Sequence, residues 1–161
     1  MSYPDAAETS ATFRPADTVE ALAVGSATAR FVAPGSVTGG QYGLFRWDPG
    51  PGGGPGPHYH RTFSEAFYVL HGRIRLYDGE RWVEATAGDF LYVPPRGVHA
   101  FRGDEDEPSS MLILFAPGSP REAYFSELAA NLAAGRAMTD EETTTFLARH
   151  DQFMVAPTRR P

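Results

Sequence analysis

Four side chains, His58, His60, Glu65 and His99, have the types and spacing of a metal-ligand set. Side chains alternate along an extended strand, so the two histidines of His58-Tyr59-His60 project from one side. A carboxylate follows five residues later, and a third histidine on a separate strand closes the group. Three imidazoles and one carboxylate suit a borderline divalent ion such as iron, nickel, manganese, copper or zinc. Facing inward without an ion, they would be unpaired polar burial. The sequence therefore predicts one divalent metal ion in a β-rich cavity. Four protein ligands leave open positions on a five- or six-coordinate ion, and none on tetrahedral zinc unless Glu65 swings away. Glu65 has two roles open to it: metal ligand, and catalytic base toward a substrate hydroxyl.

The elements that must hold these residues are short strands. β-type runs are expected at 19–24, 28–32, 42–47, 65–70, 73–77, 81–85, 89–93, 98–102 and 111–115. Turn signals separate them, and Asp78-Gly79 is a strong hairpin signal because both residues tolerate positive φ. Regular short strands of this kind predict a barrel or sandwich. The low-complexity segment 49–57 (PGPGGGPGP) reads as a shaped loop at a cavity mouth. After Pro120, Tyr124, Phe125, Leu128 and Leu132 recur at helical spacing, with Gly135 as the stop. Thr139 caps a second helix whose acidic start, Asp140-Glu141-Glu142, suits its positive end and whose Phe146-Leu147 face inward. The predicted organisation is a loose arm at 1–18 pinned at Phe13, a barrel at 19–117, and a C-terminal helical extension at 118–161.

Parity groups the candidate lining, most of which reads as ordinary barrel core, with two or three aromatics on the cavity as the alternative. Phe45 and Trp47 share one face, Phe67 and Val69 share the face of Glu65, and Phe101 shares that of His99; Phe90 and Tyr92 lie opposite Leu91 and Val93. His71 reads as a turn residue and His150 as a cation at a helix end. Arg46, Arg73 and Arg75 read as solvated strand positions.

At 161 residues the chain has the length of one domain. A net charge of −6 without a basic run argues against nucleic acid as a partner. Cysteine is absent, which excludes disulfides, thiolate nucleophiles and iron–sulfur clusters. All fourteen basic side chains are arginine, so Schiff-base chemistry on lysine is excluded too. No apolar run has the length of a membrane span, and the N-terminus lacks a signal pattern. No membrane partner and a cytoplasmic location are the expectation.

Gly52, His58, His60, Glu65 and Gly72 match, position for position, the first motif of the cupin superfamily, and Gly88, Pro94 and His99 match the second in register. The chain resembles that superfamily over roughly residues 40–116, and is similar to its quercetin dioxygenase-like group. Arg96 stands where the second motif has glycine, with Gly97 one place late, and Gly103 stands where it has asparagine. The resemblance implies an all-β fold, a double-stranded β-helix (jelly-roll) barrel, with the four ligands pointing inward and helices following. It implies a dioxygenase acting on a small aromatic or enolic, flavonol-like compound, with Glu65 taking the substrate proton. A polyketide cyclase or isomerase on the same metal site, with Glu65 or Tyr92 moving a proton, is a second reading. A non-catalytic small-molecule binder is a third. A homodimer is expected, with 19–32 as the pairing strands.

Overall fold

The computed structural model describes residues 10–118, 120–135 and 137–155. Alternation of apolar and polar residues becomes alternation of buried and exposed ones along the strands. In Arg73–Tyr77, Ile74 and Leu76 are buried while Arg73 and Arg75 face solvent. In Gly43–Asp48, Phe45 and Trp47 are buried and Arg46 is exposed. The elements are β1 (Ala21–Val24), β2 (Ala27–Ala33), β3 (Gly43–Asp48), β4 (His58–Tyr59), β5 (Ser64–His71), β6 (Arg73–Tyr77), β7 (Trp82–Thr86), β8 (Phe90–Val93), β9 (Ala100–Gly103), β10 (Ser110–Ala116), α1 (Arg121–Ala133), α2 (Asp140–Arg149) and β11 (Phe153–Met154).

Every strand pairing is antiparallel. A six-stranded sheet runs β1-β2-β3-β10-β5-β8, a three-stranded sheet runs β7-β6-β9, and β4 pairs with β11. The inner faces of the two larger sheets meet through aromatic rings: Phe67 of β5 and Trp47 of β3 lie 5.8 and 6.2 Å from Phe101 of β9. This is a double-stranded β-helix barrel. The expected Asp78-Gly79 hairpin joins β6 to β7; the Asp78 carboxylate accepts from the backbone N–H groups of Glu80 and Arg81 and closes the turn.

Helix α1 covers the barrel with Tyr124, Phe125 and Leu128 of the face read from its spacing, while Leu132 is 51% exposed. Phe125 packs 5.4 Å from Phe45 and 5.3 Å from Trp47, and Tyr124 stacks on Phe146 of α2 at 5.6 Å. Burying an aromatic side chain of this size contributes about 1.5–3 kcal/mol. Thr139 caps α2 in a full capping box with Glu142.

Three expectations need correction. Phe13 does not pin the N-terminal arm, being 86% exposed; Arg14 does, donating to the carbonyl oxygens of Phe31 and Val32 at 2.9 and 2.6 Å. The C-terminal extension is not purely helical, because β11 returns to the barrel and pairs with β4. β11 was missed, being only two residues long; β4 is the extended His58–His60 step read from the sequence, and it stops at Tyr59. Residues 1–9 of the arm and 156–161 of the extension lie outside the described residues. Phe90 and Tyr92 are neither lining nor core: they face solvent at 63% and 58% exposure, and Val93 on the opposite face points inward instead. No helix of the described residues is long and apolar enough to cross a membrane.

Candidate metal centre

His58 and His99 are locked to each other by their backbones. His58 N–H donates to the His99 carbonyl oxygen at 3.0 Å, and His99 N–H returns the bond at 2.9 Å. The Pro94–Gly97 turn delivers His99 to this bridge, with Gly97 N–H donating to Pro94 O at 2.8 Å. The other edge of β4 is held by β11, where Met154 pairs with His58 and Phe153 with Tyr59. β5 brings Glu65 in from the facing sheet. The four side chains, all buried, present ligand atoms that lie within 4.8 Å of one another.

Each imidazole is oriented by a backbone carbonyl. His58 Nδ1 donates to Gly56 O at 2.8 Å, His60 Nδ1 to Asp151 O at 2.7 Å, and His99 Nδ1 to Gly97 O at 3.1 Å. These partners assign the Nε2 lone pair of each neutral ring to the cavity side, the usual second-layer arrangement around a metal. Glu65 Oε2 lies 3.1 Å from His60 Nε2 and 2.8 Å from His99 Nε2. The His99 contact lacks hydrogen-bond alignment, leaving Nε2 a buried atom without a partner. Imidazole lone pairs and a carboxylate converging this closely repel unless a cation or a proton lies among them. The donor set therefore fits one divalent ion.

The electrostatics agree. Burial, and then the charge of His99, push His58 down from 6.5 to about 3, so its ring is neutral at pH 7 and available as a ligand. Burial alone would raise the Glu65 pKa, but attraction to the protonated form of His99, and then to His60, outweighs it and holds the carboxyl below the usual range. His99 is the counterpart: burial lowers its pKa, and the Glu65 charge more than reverses that.

Two residues that depart from the family motif have local causes. Arg96 itself adopts φ +70 and donates its N–H to the His60 carbonyl oxygen at 2.6 Å, so the turn survives without glycine there. Gly103 carries no side chain because a Cβ would lie 2.7 Å from Gly50 O and 2.9 Å from Pro49 Cβ. The glycine- and proline-rich loop crosses β9 at that point, which gives it a wall function as well as a turn function.

The sequence reading missed Asp151. Its carbonyl orients His60, and its carboxylate accepts from Arg61 N, Thr62 N and Thr62 Oγ at 3.1, 2.8 and 2.6 Å. A left-handed φ of +55 lets one residue serve both purposes. An Asp just after a predicted helix end was the available signal, since Asp tolerates that conformation.

A cavity of about 430 Å³ opens beside the centre. His58 and Glu65 are on its wall, along with Trp47, Phe101, Ile113 and Phe125. Phe45, Phe67 and Val69 are core, as ordinary barrel residues. Tyr92, a predicted proton carrier, is on the outer face and cannot serve the cavity. The tyrosine on the cavity wall is Tyr124, accompanied by Arg121 and Gln152. His71 is exposed, and His150 sits at the end of α2 with Nε2 3.4 Å from Glu127.

Comparison with known proteins agrees with this architecture. Residues 44–115 match the family model described as a cupin domain. A quercetin 2,3-dioxygenase of Bacillus subtilis (strain 168) is 31% identical over 97 residues, 60% of this chain and 28% of that protein. An uncharacterised protein of Aquifex aeolicus (strain VF5) is 37% identical over 62 residues, 38% of this chain and 50% of that protein. The chain thus spans half or less of the length of these relatives. Among solved structures, an RmlC-like cupin from Shewanella frigidimarina superposes with a TM-score of 0.60 at 21% identity, covering 71% of this chain and 96% of that one. The polyketide cyclase RemF from Streptomyces resistomycificus superposes with a TM-score of 0.58 at 20% identity, covering 66% and 80%. At such identities the likeness is one of fold. Motifs in register, barrel topology and the matched family model lead to one assignment: residues 44–115 of this chain form a cupin domain.

Proposed function

We propose that the chain is a metal-dependent dioxygenase acting on a small planar aromatic or enolic compound of flavonol type, with His58, His60, Glu65 and His99 holding one divalent ion. The observation that carries this reading is the convergence of three carbonyl-oriented imidazoles and one carboxylate on the wall of a largely apolar cavity. When bound, iron, nickel, manganese or copper would supply redox and Lewis-acid chemistry. Of the four residues, His58 and Glu65 line the cavity. A substrate hydroxyl entering there meets an ionised carboxylate able to accept its proton. Trp47, Phe101 and Phe125 exclude water from the reacting end of a flat ligand and suit its faces. The partial match to a quercetin 2,3-dioxygenase supports the same substrate class.

Tyr124 favours a second reading, non-oxidative cyclisation or isomerisation. Burial raises the pKa of its hydroxyl, which remains a proton donor at neutral pH, and the residue lines the cavity. Elemental analysis of protein produced with all five metals supplied, followed by oxygen uptake with flavonols, separates the two. About one iron, nickel, manganese or copper per chain with oxygen consumption supports the dioxygenase. Zinc with turnover of an enol and no oxygen uptake moves the assignment to the second reading. A protein that takes up no metal after reconstitution overturns both.

A further inference from the structure

Arg121 is buried beside the centre with no acid to pair with. It is 4% exposed and lines the cavity. It donates from Nη1 to the His150 carbonyl oxygen at 3.1 Å and from Nη2 to Gln152 Oε1 at 3.3 Å, and its guanidinium carbon lies 4.0 Å from the Tyr124 ring centre. These partners are all neutral. No carboxylate among the described residues is within ion-pair distance, and Glu65 and Asp151 act on it only from farther away. Its Nε is a buried donor without a partner. Arginine stays charged in proteins, and such burial is ordinarily paired with an anion. Burial also holds its pKa below the usual arginine value, as expected of a poorly solvated cation.

Trp47 gives an independent second observation. Its indole N–H is buried, has no partner, and belongs to a residue on the same cavity wall. Both unmet groups are donors, so the missing chemistry is an acceptor, and beside a guanidinium the favoured acceptor is negatively charged. The remaining wall is apolar, and a volume of about 430 Å³ falls in the range of about 300–1,000 Å³ that holds small organic ligands.

The structure assigns to this cavity the recognition of a planar, mainly apolar monoanion, whose carboxylate or enolate oxygens meet Arg121 while its ring system lies against Phe101 and Phe125. The placement of its other end at His58 and Glu65 rests on the proposed metal-dependent function; the preference for negative charge does not.

The test compares 2-naphthoate with its neutral counterpart 2-naphthamide by calorimetry on the full chain, zinc-loaded and metal-free, at fixed pH and salt. The carboxylate should bind roughly 10- to 100-fold more tightly, the range for a hydrogen-bonded charge. Arg121→Gln should erase that preference. Gln152→Glu should erase it too, by giving the guanidinium an internal counter-ion of nearly the same shape, and this variant does not depend on removing a buried side chain that helps to dock α1. Equal binding of both probes by the unaltered chain would overturn the assignment. So would a preference that survives both substitutions, which would place the carboxylate on the metal instead. Loss of metal uptake with the charge preference intact in metal-free protein would sink the metal-dependent function and leave the anion site standing.

Discussion

Replacing Asp151 with alanine should weaken metal binding although Asp151 is no ligand. The carboxylate accepts from three donors on residues 61 and 62, immediately after His60. Hydrogen bonds to a charged acceptor contribute about 1.5–3 kcal/mol each when shielded. This carboxylate is substantially solvated, so the set is worth about 2 kcal/mol in all. Alanine also tolerates the left-handed φ of +55 less well than aspartate, a further cost of about 1 kcal/mol. The same residue's carbonyl holds His60 Nδ1, so loosening it frees a ligand ring that must be ordered again when an ion binds. A cost of about 2–3 kcal/mol corresponds to roughly 30- to 150-fold in affinity, at the upper end of the range of about 10- to 100-fold typical of residues that orient metal ligands. The assay is zinc titration against a competing chelator, with thermal melts in the presence and absence of zinc. Asp151→Gly keeps the backbone conformation and removes the carboxylate, so it should show most of the loss; Asp151→Asn should fall between. If Asp151→Ala melts lower without zinc yet binds zinc within about threefold of the unaltered chain, the ligand-orienting argument is refuted.

His99→Ala should abolish stoichiometric metal uptake, measured by elemental analysis after reconstitution; full occupancy would show that the ion sits elsewhere. Arg96→Gly should raise stability by about 0.5–1 kcal/mol, because relief of the positive φ outweighs the added freedom of the unfolded chain; a lower urea midpoint would contradict this. Gly103→Asn should destabilise the protein, since its Cβ meets Gly50 O at 2.7 Å, and wild-type stability would show that the loop yields without cost. Metal-free protein should lose stability as pH falls from 6.5 toward 3: folded His58, at about 3 rather than 6.5, binds fewer protons than the unfolded chain across that window. Glu65, held below its ordinary 4.5, adds to the loss at the acid end, whereas His99, raised, gives up its contribution as pH rises through its folded pKa. A urea midpoint that is flat between pH 6.5 and 4 would refute the assignment for His58.

The ligand set was legible because its information is local: strand parity and motif spacing place His58, His60 and Glu65, and the second motif places His99. The nine expected strands all formed, with ends shifted by a residue or two, since alternation marks the middle of a strand better than its ends. What stayed hidden depends on distant partners. The extended His58–His60 step was legible, but not its neighbours: β4 bridges to His99 and pairs with Met154, and nothing in so short a segment announces either. Arg121 carried no signal in the helical spacing; its burial follows from how α1 and the segment after α2 meet. Phe90 and Tyr92 show the opposite limit, where parity was legible and only the choice of inner face needed the fold.

The pairing of β11 with β4, and the reach of Asp151 back to residues 60–62, also set an order of events in folding. All four ligand residues precede Asp151 in the chain, so during synthesis the complete donor set emerges before the residue that orients His60. Contacts across such a span close late, because loop closure must precede any reward from them. Metal capture with native affinity should therefore coincide with the final docking of the chain's last described strand, and refolding followed by a zinc-sensitive probe should lag behind refolding followed by barrel formation.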